Sequence, residues 1–138
     1  MAEPTPLAGA LARVGDRWTL QVVDALLGGP ARFGDLAAMV AGIAPNILSD
    51  RLRRLEAEGL LVSLPYSERP PRREYRLTEA GADLAGALRL LTAWGGRRGA
   101  GTGGLEHRTC GTPLEARWFC PTCDRAVSDD EGPELSFA

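Results

Sequence analysis

The length, composition and charge of the chain indicate one globular domain with a short appendage. The chain has 138 residues, of which 44% are hydrophobic and 25% are charged, and these proportions exclude a largely disordered chain. No apolar run approaches the roughly 20 residues that a membrane span requires, and the N-terminus lacks the pattern of a secretory signal. We therefore expect a soluble protein of the reducing cytoplasm, without disulfides and with no membrane partner.

The net charge of −2 conceals an uneven distribution of charged residues. Four of the 18 acidic residues lie in the last ten positions, so the rest of the chain is mildly basic. All 16 basic residues are arginines, and seven of them lie between Arg51 and Arg76. Because the planar guanidinium group suits phosphate and guanine, this cluster indicates nucleic-acid binding, although high-GC codon usage would produce the same bias.

Apolar periodicity and turn-forming residues predict four helices, then a β-hairpin, then a last helix. The helices are expected at residues 7–14, 17–27, 33–40, 45–59 and 78–94. Asp16 and Thr78 are expected to cap the second and the last helix. The two strands, at residues 60–66 and 73–77, flank a six-residue turn. This order predicts a mainly α fold with a small β-hairpin wing, the winged helix-turn-helix.

The fourth predicted helix has the pattern of a recognition helix. Its apolar residues recur at steps of three and four along one stripe, so the other side chains face outward. The polar residues expected to meet the major groove are Asn46, Ser49, Asp50, Arg53 and Arg54. Arg51 lies on the flank of the stripe, where a structural role or a phosphate contact is expected rather than base readout.

The charged residues of this helix and of the hairpin leave alternatives open. Asp50 could accept a hydrogen bond from cytosine N4, or it could pair with Arg54 and contact no base. The wing residues expected to meet the DNA backbone or the minor groove are Arg69, Arg72 and Arg73. The other interpretation is that all these arginines only solvate a helix face and a loop.

The last predicted helix carries a wide apolar face. Leu84, Leu88 and Leu91 form its stripe, with Leu90 and Trp94 on the flanks. Such a face is too apolar to remain in water, so we expect it to form a dimer interface. Six glycines in the following ten residues predict a flexible linker at 95–104.

The C-terminal segment contains the spacing His107-x2-Cys110-x9-Cys120-x2-Cys123. Two ligands separated by two residues fit one tight turn, so each pair can face the same tetrahedral zinc ion. Few large apolar residues occur in this segment, and a metal is therefore expected to hold its fold. We predict one structural zinc ion per chain in a small zinc-ribbon-like module. The alternative is a redox pair formed by Cys120 and Cys123.

These features divide the chain into four predicted parts. They are a DNA-binding and dimerisation domain at 1–94, the glycine-rich linker at 95–104, a zinc-knuckle module at 105–126 and an acidic tail, expected to be disordered, at 127–138.

Four segments of the predicted DNA-binding domain resemble the HxlR family of bacterial winged-helix regulators, which are related to the MarR type. The segments are VGDRWTL at 14–20, GPARFGDL at 29–36, IAPNILSDRLRRLE at 43–56 and YSERPPRREYRLT at 66–78. The resemblance implies a homodimer, built from the first and last helices, that binds an inverted repeat near a promoter. Many members carry a cysteine just before the first helix, where this chain has proline and threonine at 4–6, so thiol sensing at that site is excluded.

The chain also departs from the family within the recognition helix. Ala44 replaces a hydroxyl cap that is common in the family, and Asp50 replaces a common glutamine, so base preference cannot be copied from relatives.

The sequence thus predicts a transcriptional regulator, either a repressor or an activator, that binds duplex DNA as a homodimer. No catalytic residues are predicted, because the single histidine belongs to the zinc cluster and no nucleophile and base pair is evident. A small-molecule effector is left open. The alternatives are a protein interaction module with a structural zinc knuckle, or a thiol redox sensor acting through Cys120 and Cys123.

Overall fold

The computed structural model describes residues 3–99 and 104–128 of the chain. The chain divides into two compact units, one ending at Leu88 and the other beginning at Arg89. Residues 100–103 of the predicted linker and residues 129–138 of the predicted acidic tail lie outside the described residues. Within the described residues, no helix combines the length and apolar character needed to cross a membrane.

The first unit has the helices and the antiparallel hairpin of a winged helix-turn-helix, as predicted. Its helices are α1 Pro6–Val14, α2 Thr19–Leu27, α3 Phe33–Met39, α4 Pro45–Ala57, α5 Glu79–Ala82 and the start of α6 Ala85–Arg97. Its strands are β1 Ala31–Arg32, β2 Leu61–Glu68 and β3 Pro71–Leu77, which form one antiparallel sheet in the order β1-β3-β2.

A continuous apolar core holds these elements together. The predicted stripe of α4 is buried, with Leu48, Leu52 and Leu55 each no more than 2% exposed. The other buried members of the same cluster are Val22, Val23, Leu26, Ala31, Leu36, Val40, Ile43, Leu61 and Leu88. Burial of each leucine or valine side chain contributes about 1.5–3 kcal/mol to the stability of the fold. The leucine stripe therefore anchors α4 in the core, while the polar face of the helix is exposed to solvent.

Asp16 and Thr78 both bind backbone amides at helix starts. Asp16 Oδ1 accepts hydrogen bonds from the amides of Trp18, at 2.9 Å, and Thr19, at 3.1 Å, although α2 begins only at Thr19. Thr78 Oγ1 accepts from the amide of Gly81 at 3.2 Å and caps α5, as expected.

The prediction of a single helix at 78–94 is wrong, because two helices, α5 and α6, occupy this region. The amide of Leu84 bonds to the carbonyl of Gly81 in a tight turn between α5 and α6. Gly81 is buried against the carbonyl of Leu60, and this close approach fixes α5 on the sheet before the chain turns. The second helix then continues to Arg97, so the first three residues of the predicted linker are helical.

The wing is tighter than the predicted hairpin. Glu68 pairs with Pro71, so only two residues form the turn that was expected to span six. Proline lacks an amide hydrogen, but Pro65 lies on the edge strand β2 and Pro71 lies at the hairpin tip, where that hydrogen is not needed. β1 was not predicted, because a two-residue strand carries no periodic signal.

The second unit contains a two-stranded antiparallel sheet of β4 Trp118–Cys120 and β5 Arg125–Val127. An isolated bridge pairs Glu106 with Pro113. β5 reaches Val127, one residue into the segment predicted as a disordered tail.

Candidate nucleic-acid interface

The outward face of α4 carries the predicted base-reading residues. Asn46, Asp50, Arg53 and Arg54 are exposed and Ser49 is half-buried. Arg53 Nε lies 3.4 Å from the carbonyl of Ser49, so its guanidinium group follows the helix surface. The structure therefore places this polar set on one solvent-facing side of a helix that is anchored by its leucines.

Arg51 and Arg54 bind the end of α1 and the turn that precedes α2. Arg51 Nε donates to Asp16 Oδ1 at 2.9 Å, and its Nη1 contacts Asp50 Oδ2 at 2.5 Å. Arg54 Nη2 donates to the carbonyl of Ala12 at 2.7 Å, and its Nη1 lies 3.9 Å from Asp16 Oδ2. Asp50 thus pairs with Arg51, and not with Arg54 as the helical spacing had suggested.

The Asp16 carboxylate is the centre of this arrangement. Burial opposes its ionisation, but hydrogen bonds from the Thr19 hydroxyl, the Arg51 guanidinium and two backbone amides outweigh burial and hold the pKa of Asp16 well below its ordinary value. The hydrogen bond to Asp16 likewise raises the pKa of Arg51. Asp16 therefore stays charged and joins the recognition helix to the start of α2.

A second network joins the recognition helix to the base of the wing. Ser63 Oγ donates to Glu56 Oε1 at 2.9 Å, and Arg73 Nε donates to Ser63 Oγ at 3.0 Å. These residues line a cleft of about 560 Å³ between α4 and the sheet, together with Ser49, Leu52, Arg53 and Tyr75. Arg73 is thus held by Ser63 although it is exposed, whereas the exposed Arg69 and Arg72 lie near the tip of the wing.

Arg32 adds a positive charge that sequence reasoning missed. Its guanidinium carbon lies 4.3 Å from the centre of the Tyr66 ring, a cation–π contact between β1 and the wing. Arg32 and Tyr66 line a cleft of about 470 Å³ beside Arg72 and Arg73. Only the pairing of β1 with β3 brings Arg32 to the wing, and no local pattern signals that pairing.

The segment that contains α4 and the wing matches the sequence profile of a known family. The profile described as HxlR-like helix-turn-helix matches residues 13–101. The chain belongs to this family.

Relatives of this HxlR-like chain are described as transcriptional regulators. The uncharacterized HTH-type transcriptional regulator Rv3095 of Mycobacterium tuberculosis is 42% identical over 133 residues, which cover 90% of this chain and 84% of that protein. A putative transcriptional regulator of the MarR family from Porphyromonas gingivalis superposes with a TM-score of 0.65 and 28% identity, over 69% of this chain and 93% of that one.

The structure of PA1607, a putative transcription factor, matches more of this HxlR-like chain. Its TM-score is 0.74 at 29% identity, over 91% of this chain and 89% of that one. Matches over nine tenths of the chain must extend past residue 101, where the family profile ends, into the second unit. These relatives therefore also match residues beyond the segment that the family profile covers.

The second unit of this HxlR-like protein brings the predicted metal ligands together in pairs. His107 Nδ1 lies 3.2 Å from Cys110 Sγ within one tight turn. Cys120 and Cys123 are hydrogen-bonded to each other in the turn between β4 and β5. In residues 104–128 no three such side chains are gathered into a group that could hold a metal ion, so the two pairs remain separate. None of the three cysteines forms a disulfide bond.

Proposed function

We propose that this chain is a sequence-specific DNA-binding transcriptional regulator that acts as a homodimer on an inverted-repeat operator, as a repressor or an activator. The observation that carries the proposal is the exposed polar face of α4 lying beside a basic wing. Family membership supports DNA as the partner. The hydrogen bonds from Glu56 through Ser63 to Arg73 hold α4 and the wing relative to each other, as a helix and a hairpin entering neighbouring grooves require.

The contacts of each arginine divide the proposed interface into three roles. Arg53 has no acidic partner among the described ion pairs, and with Asn46 and Ser49 it reads base edges in the major groove. Arg69 and Arg72, at the wing tip, bind phosphates or the minor groove. Three further arginines, each held by protein acceptors, position the recognition helix and the wing. They are Arg51, Arg54 and Arg73.

Asp50 has a different role in the proposal from the one its helical spacing suggested. Its carboxylate is paired with Arg51, which lowers its availability to a cytosine amino group. We propose that it keeps Arg51 turned toward Asp16 and does not read a base.

The proposed dimer uses apolar side chains that the structure leaves exposed. Leu84 and Leu88, both predicted for the interface, instead pack with the core of the first unit. The exposed residues are Leu91 and Trp94 on α6, at 53% and 56%, with Leu90, and Leu7 and Leu11 on α1. We expect sedimentation to show a dimer at micromolar concentration for the wild type and for Leu64→Glu, and a monomer for Leu91→Glu. A monomeric wild type would contradict both the dimer and the two-fold operator.

The division of roles is tested with duplex DNA taken from beside the gene for this protein. Arg53→Ala should relax discrimination at one base pair by about 1–3 kcal/mol, while Arg72→Ala should weaken binding to all duplexes alike. Arg89→Ala, which removes an exposed arginine from α6, is the matched control and should change neither. Fluorescence anisotropy against an operator and its single-base variants measures both effects. Equal loss of specificity in the Arg53 and Arg72 variants would contradict the assignment.

A further inference from the structure

Residues 104–128 of the second unit have defined turns and strands but no apolar core of their own. Among residues 104–128, only Cys120 and Val127 are even partly buried. The exposed large apolar side chains are Leu105, Leu114, Trp118 and Phe119, between 44% and 61% accessible. Ordering each residue costs about 1–2 kcal/mol of backbone entropy, and so little burial cannot offset that cost. A cross-link must therefore hold this unit in one conformation.

The first turn of the unit is built around His107 and Cys110. The carbonyl of His107 accepts hydrogen bonds from the amides of Cys110, at 3.2 Å, and Gly111, at 2.7 Å. Gly111 has a φ of 71°, which closes the turn in a conformation that glycine adopts without strain. His107 Nδ1 and Cys110 Sγ are consequently 3.2 Å apart on the same side of the turn.

The second turn repeats this construction around Cys120 and Cys123. Cys120 pairs with Arg125 at the end of the β4–β5 hairpin, and Asp124, with a φ of 52°, closes the turn. The backbone amides of Thr122 and Cys123 form hydrogen bonds with the Cys120 sulfur. Turns whose amides point inward in this way favour anionic ligands such as metal-bound thiolates.

We propose that His107, Cys110, Cys120 and Cys123 bind one structural Zn²⁺ ion, which joins the two turns and folds residues 105–125 of the second unit. Three thiolates and one imidazole form a ligand set that zinc prefers, and a tetrahedral site places sulfur and nitrogen ligands about 3.5 Å apart. The separation of His107 and Cys110 within their turn is close to that value. Four protein ligands leave no position for water, so the site is structural and not catalytic. This proposal is independent of DNA binding.

Zinc binding requires the two turns to come together. The four residues between Pro113 and Trp118 connect the bridge of the first turn to β4, and their side chains are all exposed. No buried contact of these residues opposes that movement. The proposal requires this movement to bring both pairs to one ion.

The experiment measures metal in the full chain, purified without chelator. Elemental analysis should find one zinc ion per chain in the wild type and in Thr122→Ala, a variant in the same turn that keeps every ligand. Cys120→Ser and Cys110→Ser should each retain less than about a tenth of that zinc, because each loses one of four ligands. Circular dichroism should show the helices of the first unit intact in all variants.

Cobalt substitution identifies the ligands directly. Co²⁺ in the wild type should give the absorption bands of a tetrahedral site with three thiolates, and His107→Ala should shift those bands while weakening binding less than Cys120→Ser does. Three results would overturn the proposal: absence of stoichiometric zinc, half a zinc ion per chain held by Cys120 and Cys123 of two protomers, or a Cys120–Cys123 disulfide in protein kept under cytosolic redox conditions.

Discussion

The first unit buries twelve clustered apolar residues, from Val22 to Leu88, whereas residues 104–128 bury none of their large apolar side chains. Both segments nevertheless have defined hydrogen-bonded elements. In the first unit, burial of apolar side chains anchors the recognition helix. The residues on its exposed polar face can therefore be substituted without loss of the fold. In the second, local turns are formed, and on our proposal a zinc ion supplies the force that holds them together. Perturbations that affect one unit and spare the other therefore test this comparison.

The largest effect is expected at Gly81, in the first unit. A Cβ atom there would lie 2.0 Å from the carbonyl oxygen of Leu60, so Gly81→Ala should destabilise the first unit by about 1–3 kcal/mol. Gly86→Ala is the matched control, because its Cβ meets no atom within 4 Å and alanine favours a helix by about 0.5–1 kcal/mol. Urea unfolding followed by helical circular dichroism measures both changes. Equal stability of the two variants would show that α5 does not approach Leu60 so closely.

A smaller effect is expected from Asp16→Asn. The substitution keeps the size of the side chain but removes the charge that Arg51 and Arg54 bind, and we expect a loss of about 1–2 kcal/mol at pH 7. The depressed pKa sets the pH dependence, because a carboxylate with a lowered folded-state pKa stabilises the fold above its unfolded pKa of about 3.9. That stabilisation is lost as the pH falls below this value.

The difference in stability between the wild type and Asp16→Asn should therefore be constant from pH 7 to pH 5 and shrink toward pH 3. Denaturant titrations at each pH measure it, and Glu3→Gln serves as a control because Glu3 is exposed and precedes α1. A difference that stays constant down to pH 3 would mean that the Asp16 charge does not stabilise the fold.

The smallest effect on the first unit is expected from chelation of the proposed zinc ion. Removing the metal should change the unfolding free energy of the first unit by less than about 0.5 kcal/mol, because zinc stabilises the segment whose ligands it gathers. Residues 105–125 should lose their order, seen as protease cleavage after Arg117 or Arg125. Limited proteolysis with mass spectrometry, beside denaturation of the same samples, compares the two units. Unfolding of the helices on chelation would show that the units are not independent.

The sequence predicted the elements whose signal is periodic and local. The leucine stripe of α4 and the hairpin that follows it were evident, because burial on one helix face leaves a pattern with steps of three and four. The cap at Thr78 was also evident, but the break after Ala82 was not. It depends on the fit of Gly81 against Leu60, a contact between residues about twenty positions apart.

The contacts that organise the candidate interface could not be predicted in the same way. Arg51 lies 35 residues from Asp16, and no spacing rule relates an arginine on one helix to an acidic residue in a distant turn. The sequence predicted that Arg53 and Arg54 would both read bases, although the structure pairs Arg54 with Asp16 and the Ala12 carbonyl and gives Arg53 no acidic partner among the described ion pairs. Arg32 was missed because its position follows from the pairing of β1 with β3.

The network from Glu56 through Ser63 to Arg73 has a consequence for how an operator is chosen. It holds the wing at a set distance from the recognition helix, so under the proposed function the two elements present a rigid template to the duplex. A rigid template transfers the energetic cost of fitting to the DNA, whose stiffness and minor-groove width depend on sequence. We therefore expect base pairs that no side chain contacts to contribute to operator affinity through the ease with which they bend, which is indirect readout.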